Sequence, residues 1–146
     1  MQNYGQQQYK QTHVNTADPG RLVVLLYEGA INFLKEAIKS TQEGNVVEKC
    51  NNINRAQAII QELNSSLKMD EGGEIARDLR SLYFFIERHL VMAKIKKDNT
   101  RKIDEVISML SSLCEAWTEI STKIEMKNII GANTSTQLGL SRGINA

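Results

Sequence analysis

The chain has 146 residues, 41% of them hydrophobic, and a formal net charge of +1 at neutral pH. That length suits one domain with one core, and the apolar content excludes a chain disordered throughout. The near-neutral balance gives no basis for a nucleic-acid or membrane-surface protein. The longest apolar run, Leu22 to Tyr27, falls far short of the roughly 20 residues that cross a bilayer.

Pro19 is the single proline and precedes the first long apolar pattern. Proline breaks helix interiors, so a chain without it afterwards reads as helical. Aromatics make up only 5% and β-branched clusters are few, which weakens an all-β reading. Met1 to Lys10 is polar and glutamine-rich, with no basic stretch leading into an apolar one, so no secretory signal is expected. Cys50 and Cys114 match no metal or redox spacing and read as free, mostly buried thiols of a reducing compartment. The cytoplasm is the expected location.

In chain order, residues 1–17 read as an extended or loosely docked arm carrying Tyr4 and Tyr9. Asp18 and Pro19 suit a helix start. A first helix is expected from Pro19 to Ser40, with Leu22, Leu26, Ala30, Phe33 and Ala37 on one stripe. Val23, Tyr27, Leu34 and Ile38 widen that stripe, and Val24, Leu25 and Ile31 fall outside its centre. Gly44 can close this helix and Asn45 can cap the next.

The second helix is expected from Val46 to Lys68, with Cys50, Ile53, Gln57, Ile60 and Leu67 on one face and Ala56, Ile59 and Leu63 beside it. Gly72-Gly73 marks the next break. The third helix, Gly73 to Lys97, places Ile75, Leu79, Leu82, Ile86 and Ala93 on a stripe. Phe84, Phe85, Val91 and Ile95 give it a second apolar side. Asn99 or Thr100 caps a fourth helix from Arg101 to Ile124. There Ile103, Val106, Leu110, Leu113, Trp117, Ile120 and Ile124 alternate in steps of three and four, the seam of a bundle. Residues 128–146 read as a mobile tail with a short docked segment at Ile129 and Ile130. Four helices of similar length joined by short loops run antiparallel, so the expected fold is an all-α up-down-up-down four-helix bundle spanning residues 18–127.

Sites for chemistry are sparse. Di-iron bundles need Glu-x-x-His on two helices, and Glu87-Arg88-His89 is one residue too close. His13 and His89 have no ligand-spaced partners. No metal, no cofactor and no catalytic residue is expected, and no Ser/His/Asp arrangement can be argued from two scattered histidines. Gly72-Gly73 lacks the phosphate-loop pattern and reads as a turn. Lys94, Lys96, Lys97, Arg101 and Lys102 could attract an acidic partner; a solvated helix end complementing the macrodipole is the preferred reading. His89 could serve a phosphotransfer bundle, but no Lys-Gly setting follows it.

Apolar content is the informative feature. A simple bundle helix needs about three apolar positions in seven, and the first and third helices exceed this. Either the termini cover the excess or grooves await a partner helix. Tyr4 and Tyr9 fit an arm that docks a ring and keeps its hydroxyl wet.

Four blocks stand in order along the chain: Tyr9 through Val14-Asn15-Thr16-Ala17-Asp18-Pro19-Gly20-Arg21-Leu22 with Leu25-Leu26-Tyr27-Glu28-Gly29-Ala30; Ile53-Asn54-Arg55-Ala56-Gln57-Ala58-Ile59-Ile60-Gln61-Glu62-Leu63 with Ser66-Leu67; Gly72-Gly73-Glu74-Ile75-Ala76 with Leu79 and Leu82-Tyr83; and the Ile103 series ending in Trp117. In order and spacing they resemble the flagellar secretion chaperones of the FliS family. Cys114 and Phe84-Phe85 depart from the family pattern. The resemblance implies a non-enzymatic chaperone that holds the disordered C-terminal region of flagellin in the cytosol until export. It also implies an N-terminal arm covering part of the site. Tyr4 and Tyr9 are the expected arm residues. Ile53, Ala56, Gln57, Ile60 and Leu67 are the expected groove, with Leu110, Leu113 and Trp117 as a neighbouring wall; periodicity alone makes each of these helix positions core. An export-gate subunit or a flagellar regulator is a further partner left open, and neither nucleic acid nor membrane insertion is expected. A phosphotransfer bundle using His89 and a structural helical oligomer stand as alternatives.

Overall fold

The computed structural model describes residues 19–97, 100–120 and 129. Four helices follow in order: α1 Pro19–Gln42, α2 Val46–Ser65, α3 Gly73–Ile95 and α4 Arg101–Ile120. Among the described residues there is no strand. The expected arm with Tyr4 and Tyr9, the Asp18 cap, residues 121–128 and the tail apart from Ile129 lie outside the described residues.

The loops are short, so consecutive helices run antiparallel. α1 packs closely on α2 and α4, while α3 completes the square against the same two helices with sparser contacts. The first two turns have local causes. Gly44 takes φ 74°, a left-handed conformation that glycine adopts without a Cβ penalty. The Asn45 N–H then donates back to the Ser40 carbonyl at 2.8 Å. The Asn45 side chain caps α2 by accepting from the Glu48 N–H at 3.1 Å. Gly73 at φ 58° opens α3 in the same left-handed region.

The core is one cluster, apart from Leu22, which is buried beside Leu26. α1 gives Val23, Tyr27, Ala30, Leu34 and Ala37; α2 gives Ile53, Ala56, Ile60 and Leu63. α3 adds Leu79, Tyr83, Ile86, Leu90 and Ala93, and α4 adds Ile103, Val106, Leu110 and Trp117. The centre of the α1 stripe is Val23–Tyr27–Ala30–Leu34–Ala37: Ala30 and Ala37 stand as expected, Val23, Tyr27 and Leu34 come in from the set expected only to widen it, and Leu26 and Phe33 pack at its edge. α3 shows the sharper correction. Ile75, expected on the inner stripe, is 56% exposed, because the buried series runs Ala76–Leu79–Tyr83–Ile86–Leu90–Ala93. One residue of phase rotates a side chain by about 100°. Ile129 is buried in the same core, and its carbonyl accepts from the Lys68 N–H at 2.9 Å.

Candidate binding surface

Three aromatic side chains inside the bundle pair their polar atoms across helices. The Tyr27 and Tyr83 hydroxyls hydrogen-bond to each other, and Trp117 Nε1–H donates to the Tyr27 oxygen at 3.0 Å. Thus α1, α3 and α4 are tied at one level of the core. Burial pushes the Tyr27 phenol up to about 12, and it raises Tyr83 well above its ordinary value. At the other end Lys49 is buried, and its Nζ donates to the Lys96 carbonyl at 2.8 Å. This cation closes α3 where its last carbonyls lack helical partners.

The seam between α2 and α3 is polar. Lys94 Nζ donates to Asn54 Oδ1 and Gln57 Oε1, each at 2.9 Å. Arg80 Nε donates to Asn64 Oδ1 at 3.2 Å. Between them lies Glu87, whose Oε2 is buried without a hydrogen-bond partner. Desolvation raises its carboxyl, and the Gln61 and Gln57 amides and the Lys94 cation offset only part of that.

The helix positions named from the sequence sit together but inward. Ile53, Ala56, Ile60 and Leu110 have no exposed surface, and Gln57, Leu67 and Trp117 are buried with them. Leu113 is half-buried against this cluster. Gln57 and Leu67 lie at the cluster's margin, the first on the polar seam with Lys94 and the second beside Lys68 and Ile129.

Other expected features are placed as follows. His89 Nε2 lies 2.6 Å from Glu105 Oε1, and its ring stacks on Phe85 with centroids 4.9 Å apart. That contact, first, holds the exposed Glu105 carboxyl below the usual carboxylate range, helped by the nearby cations Arg101 and Lys102. Among the described residues no group of three or more His, Cys, Asp or Glu could hold a metal ion, and no described helix is long and apolar enough to cross a membrane. Both cysteines are free and half-buried. The expected basic cluster divides: Lys94 is engaged with α2, while Lys96, Lys97 and Arg101 are exposed around the α3–α4 turn.

The apolar excess is unevenly spent. In α1 it is absorbed: Ile31 is buried, and Val24, Phe33 and Ile38 pack against the core, with Phe33 lying under the Arg55 guanidinium at 5.9 Å. In α3, Phe84, Phe85, Val91, Met92 and Ile95 face outward. Beside Ile95 a cleft of about 360 Å³ opens between the α1–α2 turn and the end of α3, lined by Val46, Lys49, Lys94 and Lys97 among others. This outward set was legible in the helical spacing, but which of the two excess faces would stay open was not.

An antiparallel four-helix bundle with apolar side chains on its outer faces and a polar seam between two helices is of the class suited to docking other polypeptides. The sequence model of the family described as Flagellar protein FliS matches residues 1–124. The flagellar secretion chaperone FliS of Bacillus subtilis is 36% identical over 109 residues, which cover 75% of this chain and 80% of that one. Its counterpart from Salmonella typhimurium is 37% identical over 111 residues, 75% and 82% of the two chains. That of Vibrio cholerae is 34% identical over 118 residues, 78% and 86%. This chain belongs to the FliS family.

Proposed function

We propose that this protein is a cytoplasmic export chaperone for flagellin. It binds the disordered C-terminal region of flagellin, prevents premature polymerisation and supports secretion through the flagellar type III apparatus. The observation that carries this reading is the similarity to proteins named flagellar secretion chaperones, which spans three-quarters of the chain. The bundle supports it physically. A disordered client forfeits ordering entropy on binding, so it needs a large apolar contact along several helical turns.

In this reading Tyr4 and Tyr9 belong to an arm that covers the client route and gives way to the client. Gln57 and Leu67, at the margin of the core, and half-buried Leu113 are the positions a client reaches first. Ile53, Ala56, Ile60, Leu110 and Trp117 form the floor that fixes the helices on either side. The export gate or a flagellar regulator would meet the loaded complex.

Isothermal titration with the C-terminal segment of flagellin tests the proposal. Tight one-to-one binding with a large negative heat-capacity change is expected. Tyr9→Ala should alter the affinity while leaving the helical content unchanged. Absence of heat, together with absence of a complex in gel filtration, would overturn the reading.

A further inference from the structure

The outer face of α3 combines an apolar stripe with an exposed cation. Phe84, Val91 and Ile95 are 50%, 44% and 70% exposed. With Arg88 they follow a spacing of four, three and four residues, the line of one helix face. Phe85 and Met92 flank that line at 40% exposure each. Arg88 stands three or four residues from Phe84, Phe85, Val91 and Met92, so it is ringed by apolar neighbours. It is exposed, and among the described residues it has no ion pair or hydrogen bond.

The charges along this stripe have one sign. From Ser81 to Lys97 the only acidic residue is Glu87, which faces the Gln57 and Gln61 amides of α2. Glu105 of α4 lies at the flank, but its carboxylate is already engaged by His89 at 2.6 Å and Arg101 at 3.5 Å. Lys96 and Lys97 continue the positive sign beyond Ile95. An exposed stripe with this spacing matches the seam of a second helix, and a guanidinium inside it calls for a carboxylate.

We propose that the outer face of α3 docks an acidic amphipathic helix of a partner protein, at a surface separate from the flagellin route. A carboxylate of the partner pairs with Arg88, and its apolar stripe covers Phe84, Phe85, Val91, Met92 and Ile95. Other occupants fit the charges poorly. A second copy placed on this stripe by a two-fold axis brings the same one-sign charges and no free carboxylate for Arg88. The chain's own ends offer little acid: residues 1–18 hold Asp18 against Lys10, and residues 121–146 hold Glu125 against Lys123, Lys127 and Arg142.

The test uses the full chain and two synthetic amphipathic helices of about five turns, roughly 18 residues. Both carry the same leucine stripe; one is flanked by glutamates and the other by lysines. The glutamate peptide should bind one-to-one by fluorescence anisotropy, with amide shifts confined to the outer face of α3. Arg88→Glu should weaken it by about tenfold or more and transfer the preference to the lysine peptide. Phe84→Ser should weaken both, and circular dichroism checks that each variant stays folded. Equal binding of the two peptides, or indifference to Arg88→Glu, overturns the proposal. So does displacement by the flagellin segment, which would give the face to the client. A dimer abolished by Arg88→Glu would assign it to a second copy, and flotation with phosphatidylglycerol vesicles lost in the same variant would assign it to a membrane. Because the peptides address α3 directly, failure of the flagellin titration leaves this result readable.

Discussion

α1 and α3 are nearly equal in length, 24 and 23 residues, and both carry more apolar residues than one buried face requires. They meet different fates. α1 is wedged between α2 and α4, and its extra side chains, Leu25 apart, pack at the edges of the core. α3 touches the same two helices more sparsely, and its extra side chains point outward. Apolar surplus in a helix is thus not one signal. Close neighbours convert it to core, and loose ones leave it exposed.

The widest separation between the two helices is expected in their response to truncation. Leu34→Ala in α1 should cost about 3 kcal/mol in urea unfolding, because it empties a fully buried site. Phe84→Ala in α3 should cost less than about 1 kcal/mol, as a half-exposed substitution does. Equal costs would erase the contrast and place Phe84 in the packing of the fold.

Tyr27→Phe comes next, at about 2 kcal/mol, because it leaves the buried Trp117 N–H without its acceptor. Tyr83→Phe removes only the end of the chain of hydroxyls and should cost about 1 kcal/mol. The reverse order would mean that the α3 hydroxyl, not the α1 hydroxyl, anchors the network.

The same pair sets the alkaline limit. Both phenols are raised in the folded state, so above the ordinary tyrosine value of 10.0 the unfolded chain holds fewer protons than the folded one. Stability from this source is complete below pH 10 and is lost as pH climbs towards about 12. Urea unfolding across that range should show the decline, and a Tyr27→Phe/Tyr83→Phe double variant should flatten it.

The smallest effect belongs to the α2–α3 seam. Glu87 is raised by burial, so the fold favours its protonated form and loses stability as pH rises through the carboxylate range. Glu87→Gln should flatten that slope and gain at most about 0.5 kcal/mol at neutral pH, since solvent screens a half-exposed group. A loss of stability instead would show that the carboxylate is a needed acceptor for Lys94 or the glutamines.

Much of this architecture was legible in the sequence. Gly44, Asn45 and Gly72-Gly73 are local signals, and they set the starts of α2 and α3 to the residue, while α2 ends at Ser65 rather than the expected Lys68. The α4 seam from Ile103 to Trp117 was equally clear, because a single apolar face leaves only one rotation. Rotation was the weak point for α1 and α3. With apolar residues on several sides, periodicity alone could not choose between Leu26 and Tyr27, or between Ile75 and Ala76, as the inward position. The tyrosine–tryptophan network was not legible at all, since its members stand 56 and 90 positions apart. For the candidate site, spacing put Ile53 and Ile60 on one face of α2 with Ala56 beside it, and Leu110 on the α4 seam; all four are fully buried. The same spacing serves a core and the floor of a groove alike.

The Lys68 N–H to Ile129 carbonyl bond carries one more consequence. Ile129 is itself helical and fills part of the core, nine positions beyond Ile120. The cooperative folding unit therefore reaches at least to Ile129. A stop codon before that residue would remove a buried side chain and uncover the apolar base of the bundle beside Leu67.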